Sequence, residues 1–226
     1  MTRSEPGGFW MRPVRDYLRL LDCVQAGFAW WRLALLAVAA VAGWWVYVPV
    51  HELLHAFGCL ISGGEVTRLE LSPEYGAAWL QGYFPWIAVG SDYAGQLTGF
   101  DTGGNDWIYV ATVAAPFVLT VFPGVPLLYR ALQGPWARAW PWLLTGASLS
   151  PVLSPFISIF GDDYELASIG VSRLLSPLAA VDIERWRSDD FFLLTGELWS
   201  GLGWLDGVAL ILGLALAVTI AWAIYF

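Results

Sequence analysis

Four stretches of this 226-residue chain are long and apolar enough to dictate its class: residues 33–61, 106–129, 139–160 and 205–226. A helix of about 20 apolar residues crosses the ~30 Å hydrocarbon core of a bilayer. Inside hydrocarbon a backbone must satisfy its own hydrogen bonds, which a helix does. Composition agrees: 58% of residues are hydrophobic and only 13% are charged, more apolar than a soluble domain of this size requires. Fifteen tryptophans fit the same reading, because indole rings gather at membrane–water interfaces. The expected fold is an all-α polytopic membrane protein with about four transmembrane helices. An N-terminal interfacial helix and a small membrane-associated β-hairpin or sheet complete it. We divide the chain into an N-terminal segment, residues 1–31, and one membrane domain, residues 32–226.

Residues 1–12 are polar and contain Gly and Pro. From Pro13 to Ala26 the pattern becomes helical: Val14, Tyr17, Leu18, Leu21, Val24 and Phe28 form one face, and Arg12, Arg15, Asp16, Arg19 and Asp22 the other. Such a helix lies in the interface plane, with Pro13 suited to its first turn. No short apolar core precedes a small-residue cleavage site, so the segment does not read as a secretory leader. The first apolar run follows, with Pro49 as a kink point and Gly63-Gly64 as a helix stop. Residues 65–71 alternate polar and apolar, a strand signal, and lead to a Gly-rich loop through Gly99–Gly104. Residues 161–204 are mixed and partly acidic.

The net charge of −8 and the lack of a basic stripe argue against a nucleic-acid partner. Cys23 and Cys59 form neither a disulfide framework nor a CxxC metal knuckle. Arg3, Arg12, Arg15, Arg19 and Arg32 precede the first span, and by the positive-inside rule they put the N-terminus in the cytoplasm. With four spans the C-terminus returns to that side, where the Arg130–Arg138 loop also falls.

His51, Glu52 and His55 form a HExxH motif inside the first apolar run, and they include both histidines of the chain. Ionisable groups at such depth are costly, so a functional role is the default reading. One helical turn separates the two imidazoles, and they project from one face. There they can share a tetrahedral Zn²⁺, while Glu52 takes a proton from water. A packing helix gains nothing from three buried polar groups, so the metal site is preferred over a structural hydrogen-bonded cluster. Cys59, one turn beyond His55, is a conceivable ligand; packing as a small buried residue is the simpler role.

Here the sequence resembles the site-2-protease family of intramembrane zinc metallopeptidases. His51-Glu52-Leu53-Leu54-His55 with Ala56-Phe57-Gly58 carries most of the resemblance. Strand-like Gly64–Leu69, then Ala114-Ala115-Pro116, then acidic Gly161-Asp162-Asp163-Tyr164-Glu165 follow in the family's order. The family's third ligand is an Asp, usually within Leu-Asp-Gly. In this chain that triplet occurs only as Leu205-Asp206-Gly207, at the start of the last run. The resemblance places the third ligand instead at Asp162, with Asp163 as the alternate. Asp162 and Glu165 also have the spacing of a helix-capping box, and Asp101 and Asp106 are further acids within reach in sequence. A family-like arrangement puts the motif near the cytosolic face, whereas the arginine count puts it nearer the outer one.

The resemblance implies a zinc endopeptidase of the bacterial inner (cytoplasmic) membrane, with Glu52 as catalytic base and His51, His55 and Asp162 as ligands. Its partners are the lipid bilayer and a transmembrane protein substrate, unwound and added as a strand beside residues 66–71. The alternative is a non-proteolytic member of the same fold, a scaffold or assembly subunit within a membrane complex.

Overall fold

The computed structural model describes residues 11–201 and 203–226. Arg3 and the remainder of residues 1–10 lie outside them. In chain order the main elements are α1 (Arg12–Ala26), α2 (Trp30–Ser62), β1 (Glu65–Leu71), α3 (Ala77–Gln81), β2 (Ile87–Val89) and β3 (Gly95–Asp101). There follow α4 (Asp106–Ala114), α5 (Val125–Leu132), α6 (Trp140–Ile157), α7 (Asp162–Ala179), α8 (Phe191–Leu198) and α9 (Trp204–Tyr225). Among the described residues, four helical segments are long and apolar enough to cross a membrane: Trp30–Ser62, Asp106–Leu132, Trp140–Phe160 and Trp204–Tyr225.

The α2 helix runs unbroken for 33 residues with Pro49 inside it, and stops where Gly63 turns left-handed at φ +99°. Its closest neighbour is α6. Gly43 and Gly146 allow that approach: a Cβ on Gly43 would lie 3.2 Å from Ala147 Cα, and one on Gly146 would lie 2.7 Å from Ala39 Cβ. Against another side of α2 packs α4, through Gly58, where a Cβ would lie 2.5 Å from the Ala111 carbonyl oxygen. Small residues at these crossings are what bring polar groups of three helices within reach of one another.

Several expectations are revised. The second apolar run is not one helix. It breaks into α4, a 3₁₀ turn at Ala115–Phe117, a π turn at Thr120–Gly124 and α5, because Pro116, Pro123 and Pro126 each lack an N–H for the ladder. Residues 161–204 contain a full helix, α7, whose Tyr164, Ala167, Val171 and Leu175 form a buried stripe against Ala209, Leu210 and Ala217 of α9. On α1, Tyr17, Leu20 and Val24 pack inward, whereas Leu18 and Leu21 are exposed, as is Phe28 beyond the end of the helix. The apolar face is therefore two stripes, one docked on the bundle and one turned outward. Docking is reinforced by Asp16, which accepts hydrogen bonds from Tyr129 and Tyr225.

The β region is a three-stranded mixed sheet, ordered β2-β1-β3. β1 pairs parallel with β2 and antiparallel with β3, in the register Leu69 opposite Ile87 and Leu69 opposite Leu97. Gly99, Phe100 and Asp101, read from sequence as loop, belong to β3. Pairing with β1 holds them extended despite the low strand preference of Gly99 and Asp101. Leu69, Leu71 and Ile87 are buried with Val48 and Ala56 of α2, which seats the sheet on the motif-bearing half of that helix.

Candidate metal centre

The HExxH residues lie in the C-terminal half of α2, and Asp162 is the first residue of α7. His51 Nε2 lies 3.2 Å from His55 Nε2 and 3.2 Å from Asp162 Oδ2. His55 Nε2 lies 3.8 Å from the same oxygen. Ligand atoms held ~2.05 Å from a tetrahedral zinc are spaced about 3.3 Å apart, so these three atoms describe one face of such a tetrahedron.

Outer hydrogen bonds decide which way the imidazoles face. His55 Nδ1 lies 2.9 Å from the backbone carbonyl of Thr112. A carbonyl only accepts, so Nδ1 carries the proton and Nε2 presents a lone pair. His51 Nδ1 lies 2.9 Å from the Tyr47 hydroxyl, which donates to Ser154 Oγ at 2.6 Å. With its proton directed to Ser154, that hydroxyl can accept from Nδ1–H, and in that tautomer the Nε2 of His51 is bare as well. Two imidazole lone pairs and a carboxylate oxygen then converge with no hydrogen between them. Such a cluster can hold a metal ion at its centre, and the donor set suits Zn²⁺.

The Thr112 carbonyl is free for this duty because of Pro116. In a regular helix it would accept from the N–H four residues on; Pro116 has none, and its ring crowds that carbonyl outward. Ala114-Ala115-Pro116, which resembled a family motif in order alone, thus has two physical roles. Ala115 and Ala111 admit the close contact with Gly58, and Pro116 releases the acceptor that orients His55. Neither Tyr47 nor Thr112 was singled out from sequence. Tyr47 is one turn before His51, a spacing that could have flagged it, whereas the part played by Thr112 depends on α4 lying against α2.

Among the described residues the group able to hold a metal is His51, His55 and Asp162. Asp163 is not in it; its carboxylate is fully buried, with no hydrogen-bond partner for either oxygen. Asp106 is held by Arg173 and Arg187. Asp101 accepts from the Gly103 amide at 2.7 Å. Asp206 of the Leu-Asp-Gly triplet is buried in a two-pronged pair with Arg185, at 2.9 and 2.8 Å, and also accepts from Trp186 and the Gly203 amide. The Cys59 thiol is buried beneath Gly64 and lies 3.5 Å from the Glu65 carbonyl. Asp162 is not the cap of its helix, as its spacing to Glu165 suggested. Gly161 occupies the cap position, and its carbonyl accepts from the Glu165 amide at 2.8 Å. The Asp162 side chain is thereby left to the histidines, at a helix N-terminus that favours negative charge.

Glu52 lies between two cavities. One, of about 140 Å³, also touches His55, Asp162, Thr112, Glu165 and Asp189. The other, of about 300 Å³, also touches His51 and is walled by α2 and α6. Burial pushes the Glu165 carboxyl well above its usual range, opposed by a hydrogen bond from Tyr109. Burial also raises Asp189, with Asp190 adding to the effect. β3 borders the cluster: Gly95 lies directly over Glu52, where a Cβ would sit 2.5 Å from Glu52 Cγ. Among the described residues no strand pairs with the outer edge of β3. β1, expected to receive a substrate strand, is the central strand, paired with β3 along Glu65–Leu71 and with β2 at Leu69–Leu71.

The fold and site together define a mainly helical chain with four potential membrane spans, a small sheet and a His-His-Asp cluster able to bind a metal. No family model matches the chain, and neither a curated protein nor a solved structure matches it.

Proposed function

We propose that this chain is an integral membrane zinc peptidase of the site-2-protease type, hydrolysing a transmembrane protein substrate. The observation that carries the reading is the convergence of two bare imidazole nitrogens and one carboxylate oxygen, with Glu52 beside them, on an apolar helix of spanning length. His51, His55 and Asp162 hold the ion. When bound, it supplies a Lewis acid for the scissile carbonyl and lowers the pKa of a neighbouring water.

The chain's own residues do the rest. Glu52 takes the proton of the attacking water and returns it to the leaving amine. Tyr47 and the Thr112 carbonyl keep both imidazoles aimed inward. Helical substrate must be opened first, since its carbonyls are bonded internally. The outer edge of β3 offers hydrogen bonds to the opened segment, alongside Glu52.

The setting is a bacterial inner membrane, with the N-terminus in the cytoplasm by the arginine count. Asp106, at the sheet end of α4, pairs with Arg173 and Arg187. This supports placing residues 65–105 and 161–204 together, at the end of the bundle away from the Arg12–Asp16–Tyr129 cluster. The test uses zinc-loaded protein in detergent and a panel of fluorogenic transmembrane peptides. Wild type cleaves, and Glu52→Gln keeps its zinc but does not cleave. Equal cleavage by Glu52→Gln refutes the mechanism.

A further inference from the structure

The two cavities that meet at Glu52 differ in size and in chemistry. Acids and amide groups line much of the smaller one. The larger, about 300 Å³, has a mostly apolar wall built from two helices: Trp44 and Val48 on α2, and Leu149, Leu153 and Ile157 on α6. The three α6 residues recur at every fourth position, so they form one stripe along the helix. Trp44 and Ile157 are 45% and 71% exposed, which leaves the cavity reachable from the outside of the bundle. His51 and Glu52 form part of the same wall.

An extended peptide points successive side chains to opposite faces. A chain laid along β3 with one bond at the metal cluster therefore sends the two flanking side chains in opposite directions, and Glu52 lines two separate cavities, one bordered by β3, α4 and α7 and the other by α2 and α6. An apolar cavity of about 150 Å³ is enough to hold benzene. The larger cavity is twice that, while a charged side chain seated between Val48 and Leu153 would lose its hydration against aliphatic carbon.

We infer that this site selects substrates with a large apolar side chain, of leucine to phenylalanine size, at one of the two residues flanking the cleaved bond, seated between Val48 and Leu153. The inference rests on the metal-peptidase reading above. It is tested by binding, independently of turnover. Glycine, leucine, phenylalanine and tryptophan hydroxamates, which anchor on zinc and carry different side chains, are titrated calorimetrically into zinc-loaded full-length protein.

Phenylalanine hydroxamate binds at least about tenfold tighter than the glycine compound. Leu153→Trp fills the cavity and cancels that preference, whereas Leu153→Ala enlarges it and shifts the optimum to the tryptophan compound. Zinc content is the control for folding of both variants. Equal affinity for the glycine and phenylalanine compounds, or a preference untouched by both substitutions, overturns the inference while leaving the metal site standing. Protein that holds no zinc and binds no hydroxamate overturns the metal-peptidase reading and the inference with it.

Discussion

Replacing Pro116 with alanine isolates the link between α4 and the metal centre. The substitution restores a backbone N–H at position 116, four residues after the Thr112 carbonyl. That N–H competes for the acceptor now 2.9 Å from His55 Nδ1. Losing the outer partner of a ligating histidine weakens metal binding by about 10- to 100-fold, or about 1.4 to 2.8 kcal/mol. The fold itself should not suffer, because a proline inside a helix is costlier than alanine by up to ~3 kcal/mol. Zinc affinity is measured by competition with a chromogenic chelator, and stability by thermal unfolding of the metal-free protein. Weaker zinc binding in a metal-free protein at least as stable as wild type is the expected pair. Unchanged zinc affinity refutes the assignment of Thr112 as the orienting acceptor.

Other substitutions probe neighbouring contacts. Tyr47→Phe removes the acceptor of His51 Nδ1–H and should weaken zinc binding about tenfold or more in the same chelator assay. Gly95→Ala puts a methyl group 2.5 Å from Glu52 Cγ; zinc content should stay at the wild-type level while peptide cleavage falls at least about tenfold, because a general base must hold hydrogen-bond geometry. Gly58→Leu places its side chain where the Ala111 backbone and the Ala115 methyl sit. Overpacking there should cost about 1–3 kcal/mol, read as a lower unfolding temperature together with zinc loss, since α4 carries the His55 acceptor.

The parts of this molecule that were legible in its sequence are those set by short-range rules. Residues 33–61 are apolar throughout, so spanning length is read directly, and the His51–His55 spacing fixes two ligands on one helical face. What was not legible depended on contacts between distant segments. β3 is glycine-rich and reads as loop; its extension comes from pairing with β1. α7 carries Asp162, Asp163, Glu165 and Arg173, which dilute its apolar content, yet the Tyr164, Ala167, Val171, Leu175 periodicity was there to be found. The choice of Asp162 over Asp163 turned on helix phase. A one-residue step rotates a side chain by about 100°, and only placing the cap at Gly161 settles which carboxylate faces the histidines. The two roles of Pro116 were invisible without knowing that α4 lies against α2.

The most direct test of the metal-peptidase account is zinc stoichiometry by mass spectrometry. Protein is purified in detergent, reconstituted with zinc and dialysed, for wild type and for His51→Ala, His55→Ala, Asp162→Ala and Asp106→Ala. The account predicts about one zinc per chain in wild type. Little or none is retained by the first three variants, and the wild-type amount is retained by Asp106→Ala, whose carboxylate serves Arg173 and Arg187 instead. A wild-type chain that retains no zinc, or Asp162→Ala protein that holds as much as wild type, contradicts the site as described.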